Sequence, residues 1–231
     1  MPKGFYGHGL PGIDPTSLHG KLIVVEGADG SGRSTQIAML RDALERAGQA
    51  TVDVGLKRSR LVGRELDDAM KGNILSSRTL ALFYATDFAD QLENRMVPAL
   101  KAGFTVLADR YIYTLMARAL VRGAEREWLQ QVYGIALIPD AVFYLAVSPK
   151  LLAERNFRKN LVLDYWEAGM DIQRTGGMYD NFVHYQQEIQ KQFQAMESLY
   201  EFETINGNRA PRTIFRDLLA KTEDLLAPQR M

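Results

Sequence analysis

The chain alternates short β-branched apolar runs with longer stretches whose apolar residues recur every three to four positions. Residues 22–25, LIVV, form a continuous run, as in a strand covered on both faces of a parallel sheet. Residues 51–54, 104–108, 141–147 and 202–205 supply four more predicted strands. Between them the spacing is helical. Gln36, Met39, Leu40, Ala43, Leu44 and Ala47 share one face of a helix that Gly48 closes. Residues 61–71 predict a short helix and 76–100 a long one, with Pro98 near its end. Two helical stretches follow Tyr111, parted near Arg122 and Gly123, and Pro149 opens another at its first turn. Met178, Phe182, Tyr185, Ile189, Phe193 and Met196 form a helical stripe suited to core or subunit contact. A last helix begins near Pro211. Strands alternating with helices predict an α/β fold with a five-stranded parallel sheet and right-handed crossovers.

Two segments carry neither period. Residues 1–20 are rich in Gly and Pro and read as a flexible arm, mobile or draped on the surface. Residues 160–177 contain Gly169, Gly176 and Gly177 and read as a mobile lid. The remainder, 21–231, shows no internal repeat and forms one domain.

Charge and composition narrow the class. Basic and acidic residues balance at 28 each, so no overall field favours nucleic acid or an anionic membrane. Without cysteine there are no disulfides, thiolate nucleophiles or thiolate metal sites, which fits a cytoplasmic protein. His8, His19 and His184 are too scattered to suggest a metal cluster. No apolar run approaches the roughly 20 residues that span a bilayer, and the N-terminus lacks the order of a signal peptide.

The chemistry concentrates directly after the first strand. In GADGSGRST, Gly27 to Ser34 has the spacing of G-x-x-x-x-G-K-[ST], with Arg33 in place of the lysine. Backbone N–H groups of such a loop form a nest for phosphate, and the helix N-terminus adds partial positive charge. A tight turn without ligand is the plainer alternative. The three glycines, the Ser34 hydroxyl and the preceding strand favour a nucleoside triphosphate, bound by Gly27, Ala28, Asp29, Gly30, Ser31, Gly32, Arg33, Ser34 and Thr35.

Ligands of parallel sheets sit at the carboxyl ends of the strands. Arg58 and Arg60 fall there after the second strand, and Asp109 with Arg110 after the third. Asp109 and Ser34 offer two oxygens to magnesium, and the guanidinium forks of Arg58 and Arg110 suit a second phosphate group. A local surface ion pair is the alternative for Asp109–Arg110. Two bound phosphate groups suggest phosphoryl transfer by positioning and charge neutralisation, with no covalent nucleophile.

From residue 21 onward the chain resembles the thymidylate kinase family of P-loop nucleoside monophosphate kinases. GADGSGRST is similar to the family's G-x-D-G-x-G-K-[ST]-[ST], which places Asp29 near the acceptor sugar and phosphate. LKRSRLVG resembles F-P-x-R-x-x-x-I-G and puts Arg58 on the acceptor phosphate. ALFYA resembles L-L-F-x-A, whose phenylalanine, here Phe83, stacks on the base. ADRY resembles D-R-[YH], with Asp109 linked to metal and Arg110 to phosphate, and Thr114 stands where the family has serine. Arg155 and Arg158 fall at the start of the family's lid.

The resemblance implies a three-layer α/β/α P-loop fold, a homodimer, and transfer of the γ-phosphoryl of magnesium-ATP to dTMP, giving dTDP. It gives Arg33, Asp109 and Arg110 catalytic roles. Arg33 departs from the pattern, being bulkier and less compact as a charge than lysine. Asp87, or Phe88 if the register shifts by one, stands where the family has a thymine-reading arginine, and Arg118 replaces a tyrosine. A carboxylate at the base edge would suit an exocyclic amine better than a carbonyl; the other possibility is that Asp87 and Asp90 solvate a helix face. Two rival functions follow: a kinase for another nucleoside monophosphate, or a catalytically weakened nucleotide-binding protein.

Overall fold

A computed structural model describes residues 4–72, 75–160, 163, 165–172 and 176–227. Five strands, β1 (Lys21–Glu26), β2 (Thr51–Gly55), β3 (Thr105–Asp109), β4 (Ala141–Ala146) and β5 (Glu203–Asn206), form one parallel sheet in the order β2-β3-β1-β4-β5. Helices α1 (Arg33–Arg46) and α9 (Pro211–Leu226) lie on one face. On the other lie α3 (Ser77–Gln91), α5 (Ile112–Val121) and α8 (Met178–Glu197), with α2 (Gly63–Lys71) against α3. The fold is therefore the three-layer α/β/α arrangement.

The continuous apolar run of β1 explains its central place. Successive strand side chains point to opposite faces. Leu22 and Val24 enter the core under α3, α5 and α8, whereas Ile23 and Val25 meet Ile37, Leu40 and Leu44 of α1. β3 and β4 divide in the same way: Val106 and Val142 face one side, Leu107 and Phe143 the other. A strand with both faces covered needs no polar alternate positions.

The stretch 76–100 is not one regular helix. Ser76 caps α3, its hydroxyl accepting from Thr79 N at 3.3 Å. A π turn over Leu92–Met96 then separates α3 from α4 (Val97–Lys101), with Val97 N–H donating to Leu92 O. Pro98 lacks a donor and its ring crowds the preceding turn, so the backbone widens just before it.

Beyond the sheet, residues 4–9 drape along the segment that follows α6 (Arg126–Val132). Tyr6 N donates to Ala136 O at 2.9 Å, Ile138 N to Gly4 O at 2.8 Å, and the Tyr6 and Tyr113 hydroxyls share a 2.6 Å hydrogen bond. Helix α7 (Pro149–Asn160) leads into the expected lid, of which 161, 162, 164 and 173–175 lie outside the described residues. Its described part is docked. Trp166 Nε1 donates to Met70 O at 2.9 Å, and Arg122 Nε donates to Asp171 at 2.7 Å. No helix among the described residues is long and apolar enough to cross a membrane.

Candidate active site

Strand register assembles the site. Val25 of β1 and Gly55 of β2 both pair with Asp109 of β3, so the three strands end level and their following loops emerge side by side. That brings the 27–34 loop, Arg58 and Asp109–Arg110 together, as their positions after strands predict.

The loop has the backbone of a phosphate nest. Gly30 and Gly32 hold φ of 83° and 95°, a region costly for residues with a Cβ. A Cβ on Gly30 would stand 2.8 Å from Asn156 Nδ2, and that same amide donates to Asp29 O at 2.8 Å, so α7 buttresses the loop. At Gly32 a Cβ would meet nothing within 4 Å; there the conformation alone, and any ligand, require glycine. Arg155 Nη1 lies against the loop, 3.5 Å from Gly30 O, and donates to Gly207 O at 3.3 Å. Arg158 lines a separate apolar groove with Phe157 and Tyr179 and is not brought to the loop.

Arg33 turns inward and is 6% exposed. Its Nη1 donates to Gly27 O and, at 2.6 Å, to Ala28 O, while Nε donates to Asp109 Oδ1 at 3.0 Å. Ser34 Oγ donates to Asp109 Oδ2 at 2.7 Å, and Arg58 Nη2 stands 3.6 Å from that oxygen. Ser34 and Thr35 are exposed at the start of α1. The Ser34 hydroxyl and Asp109 carboxylate are adjacent hard oxygen donors at a helix N-terminus, a pairing that fits magnesium bound together with phosphate oxygens.

Asp29 is held by a second set of arginines. Arg110 Nη2 pairs with its Oδ1, Arg118 Nη2 donates to its Oδ2 at 2.7 Å, and Arg33 Nη2 lies at 3.6 Å. Arg110 has φ of 74°, and its Nε is buried without a hydrogen-bond partner. A non-glycine residue kept in that region at a strand end is a mark of functional sites. Burial and the neighbouring Arg118 cation make the Arg110 charge costly, pulling its pKa down to about 9. It remains a cation at neutral pH, and an incoming dianion would offset the cost.

Two expected acceptor contacts are spent internally. Thr114 donates its N–H, at 3.1 Å, and its hydroxyl to Glu26, a fully buried carboxylate at the end of β1 that also accepts from Tyr111 N at 2.9 Å. Burial raises the Glu26 pKa against the lowering effect of these bonds. Asp87 is likewise fully buried; Lys57 N and Ser59 N each donate to it at 2.8 Å, so it is not aimed at a base. Asp90 does not merely solvate the helix, since Ser59 Oγ donates to it at 2.6 Å.

An aromatic cavity opens beside the arginine cluster, and sequence reasoning did not find most of its walls. Phe83 is partly buried against the core but does not line it; Tyr84 does, with Leu80, Tyr133 and Trp166. Arg118 and Tyr185 line both this cavity and the crevice formed by Gly27, Asp29 and Arg110, so the two spaces adjoin. Arg122 closes one end, donating to Asp171, Tyr185 Oη and Trp166 O. The signal was present in the spacing Leu115, Arg118, Ala119, Arg122, which lines up an arginine of α5 and the arginine that ends it with core residues of that helix.

A loop with the backbone of a phosphate nest, an acid beside its serine, and two arginines at separate strand ends suit phosphate groups; comparison with known proteins then gives the family. Residues 25–210 match the family model described as thymidylate kinase. A probable thymidylate kinase 2 of Saccharolobus solfataricus is 34% identical over 87% of this chain and 94% of that protein. A thymidylate kinase of Caldicellulosiruptor saccharolyticus is 31% identical over 88% and 100%, and a probable thymidylate kinase of Thermococcus kodakarensis 27% identical over 90% and 100%. With the family match running from the last residues of β1 past β5, and so taking in every strand end that builds the site, this chain belongs to the thymidylate kinase family.

Proposed function

We propose that the protein is a nucleoside monophosphate kinase transferring the γ-phosphoryl of ATP to dTMP. The observation that carries this reading is the adjacency of two spaces: a crevice walled by Asp29 and Arg110 at the phosphate loop, and an aromatic cavity joined to it through Arg118 and Tyr185. The first has the charge for a phosphate group and the second the apolar walls for a base. The names of the relatives favour dTMP over another acceptor, and a kinase over a weakened binding protein.

The residues divide the work. Loop amides from Gly27 to Ser34 hold the donor triphosphate at the N-terminus of α1. Arg33 neutralises charge on the donor side; Arg58 and Arg110 orient the acceptor phosphate in line with it. An acceptor oxygen forms the new bond to the γ-phosphorus as the bond to the β–γ bridging oxygen breaks, and the departing charge stays on ADP. Ser34 and Asp109 would hold magnesium, which supplies further neutralisation of the phosphate oxygens. The docked segment with Trp166 and Asp171 walls the aromatic cavity, and closure of the lid over the site would keep water from the transferring group. A homodimer in the cytosol belongs to the same reading.

The test is a coupled assay of purified protein with magnesium-ATP and a panel of monophosphates. We expect dTDP from dTMP, with dTMP ahead of dCMP and dUMP in kcat/KM. Turnover of a different monophosphate in preference to dTMP would refute the substrate; binding of ATP without transfer to any would refute the kinase.

A further inference from the structure

In this chain α3 carries an acid, Asp87, at or one residue before the position where the resemblance sets a base-reading arginine. Its two oxygens take the backbone amides on either side of Arg58: Lys57 N donates to Oδ2 and Ser59 N to Oδ1, both at 2.8 Å. One turn along the helix, Gln91 closes the arrangement. Its Nε2 donates to Gly55 O at 2.7 Å and to Asp87 Oδ2 at 3.1 Å, while its Oε1 accepts from Gly55 N at 3.2 Å. Gly55 is the residue of β2 that pairs with Asp109. Asp90, on the same helix face, accepts from Ser59 Oγ, which in turn accepts from Leu61 N at 2.9 Å and Val62 N at 3.1 Å. Within this loop Lys57 holds φ of 59°, a conformation that persists only where its surroundings enforce it.

We infer that Asp87, with Gln91, is a positioning residue that fixes Arg58 for the acceptor phosphate by gripping the backbone on both sides of it, and that it takes no part in reading the base. A carboxylate suits the task because both its oxygens accept, so two neighbouring N–H groups are met by one rigid, fully buried group. Among the described residues Arg58 itself makes long contacts, 3.4 Å to Val54 O and 3.6 Å to Asp109. Its side chain is 42% exposed and loosely held, so the placing of its Cα by the backbone beneath it is what the fold controls. The inference rests on the kinase reading for its acceptor, but the grip can be measured without turnover.

The experiment compares Asp87→Asn, Arg58→Met and the double variant. Asparagine keeps one acceptor and turns a donor toward the other N–H, so about a tenfold to hundredfold rise in the KM for dTMP is expected, with the KM for ATP within about twofold. In the Arg58→Met background, Asp87→Asn should add less than about twofold, because the residue it positions is gone. The ratio of dTMP to dCMP turnover should not move. Amide exchange gives the independent reading: Lys57 and Ser59 N–H lose protection in Asp87→Asn while β1 and β3 keep theirs. If Asp87→Asn fails to fold, Gln91→Met, which frees Gly55, should show the same acceptor-specific loss. An undiminished effect in the Arg58→Met background, a changed base preference, or unchanged exchange at Lys57 and Ser59 would overturn the inference. Absence of turnover in the wild type would count against the kinase reading alone, since exchange still reports the grip.

Discussion

Arg33 Nε sits 3.0 Å from Asp109 Oδ1, so the cation of the phosphate loop and the acid at the end of β3 are bound to each other before any phosphate arrives. Arg33 Nη1 meanwhile occupies the carbonyls of Gly27 and Ala28. The fork serves two anchors that a single ammonium could not reach together. Arg33→Met should lower kcat about 10²- to 10³-fold, the scale for losing one group that stabilises transferring charge. Arg33→Lys should keep measurable turnover. A kcat within a few-fold of wild type in Arg33→Met, from steady-state assays at saturating ATP, would show that the loop works without this charge.

Arg110 supplies a prediction on the opposite side. Its pairing with Asp29 and its buried, unpartnered Nε aim it at the acceptor crevice. Arg110→Met should weaken dTMP binding by about 2–3 kcal/mol, the cost of a lost charge-assisted contact, and leave ATP nearly untouched. Isothermal titration with each nucleotide separates the two. Loss of ATP affinity with intact dTMP binding would reverse the assignment of sides.

Gly32 separates folding from binding. A Cβ there meets no protein atom, so Gly32→Ala costs stability only through its left-handed φ of 95°, about 1 kcal/mol. On the proposed reading the added methyl would stand where a phosphate approaches the backbone. The variant should unfold in urea close to wild type yet bind ATP at least about tenfold more weakly. Equal ATP affinity in the two proteins would place the triphosphate elsewhere.

Glu26 predicts a pH dependence. Burial raises its pKa in the folded chain above the ordinary carboxylate range near about 4. The folded state therefore binds that proton more tightly than the unfolded chain, and its contribution to stability is full below the ordinary value. It is lost as pH rises through the raised one. Glu26→Gln removes the titration. Denaturant midpoints of the two proteins between pH 4 and pH 8 should show wild type losing stability relative to the variant as pH rises. A constant difference across the range would mean that Glu26 stays charged.

The strands and the gathering of the glycine loop with the polar strand ends were legible because each is carried by local sequence: a both-faces apolar run, glycines at fixed offsets, polar residues just past strand ends. What a motif cannot carry is the rotation of a helix about its axis. ALFYA directs attention to Phe83, yet Leu80, Tyr84, Phe88 and Leu92 form the buried i+4 stripe of that segment. Phe88 packs edge-on to Tyr111 at 5.2 Å and to Tyr133 at 6.0 Å, and that fit turns Tyr84 to the cavity. Phe83 and Asp87 then share the next face over, which sends Asp87 to the loop at 57–59. Read by period rather than by motif, the apolar stripe would have given this rotation. The partners of Asp87 would still have stayed hidden, since they are backbone groups with no side-chain signature.

The level ending of β1, β2 and β3 determines which errors the gene can absorb. Because pairing of Val25 and Gly55 with Asp109, rather than the length of any crossover, aligns the three loops, residues inserted in the turn after α1 or near Gly123 should leave the reacting groups where they are. Loss of one residue inside β3 is a different event. It would turn Asp109 to the opposite face and shift Arg110 by a full residue against the phosphate loop, with the parallel sheet still able to form. Such a protein would be expected to persist in the cell and do nothing, so frameshift-free single deletions should divide sharply, silent in the connections and inactivating in the strands.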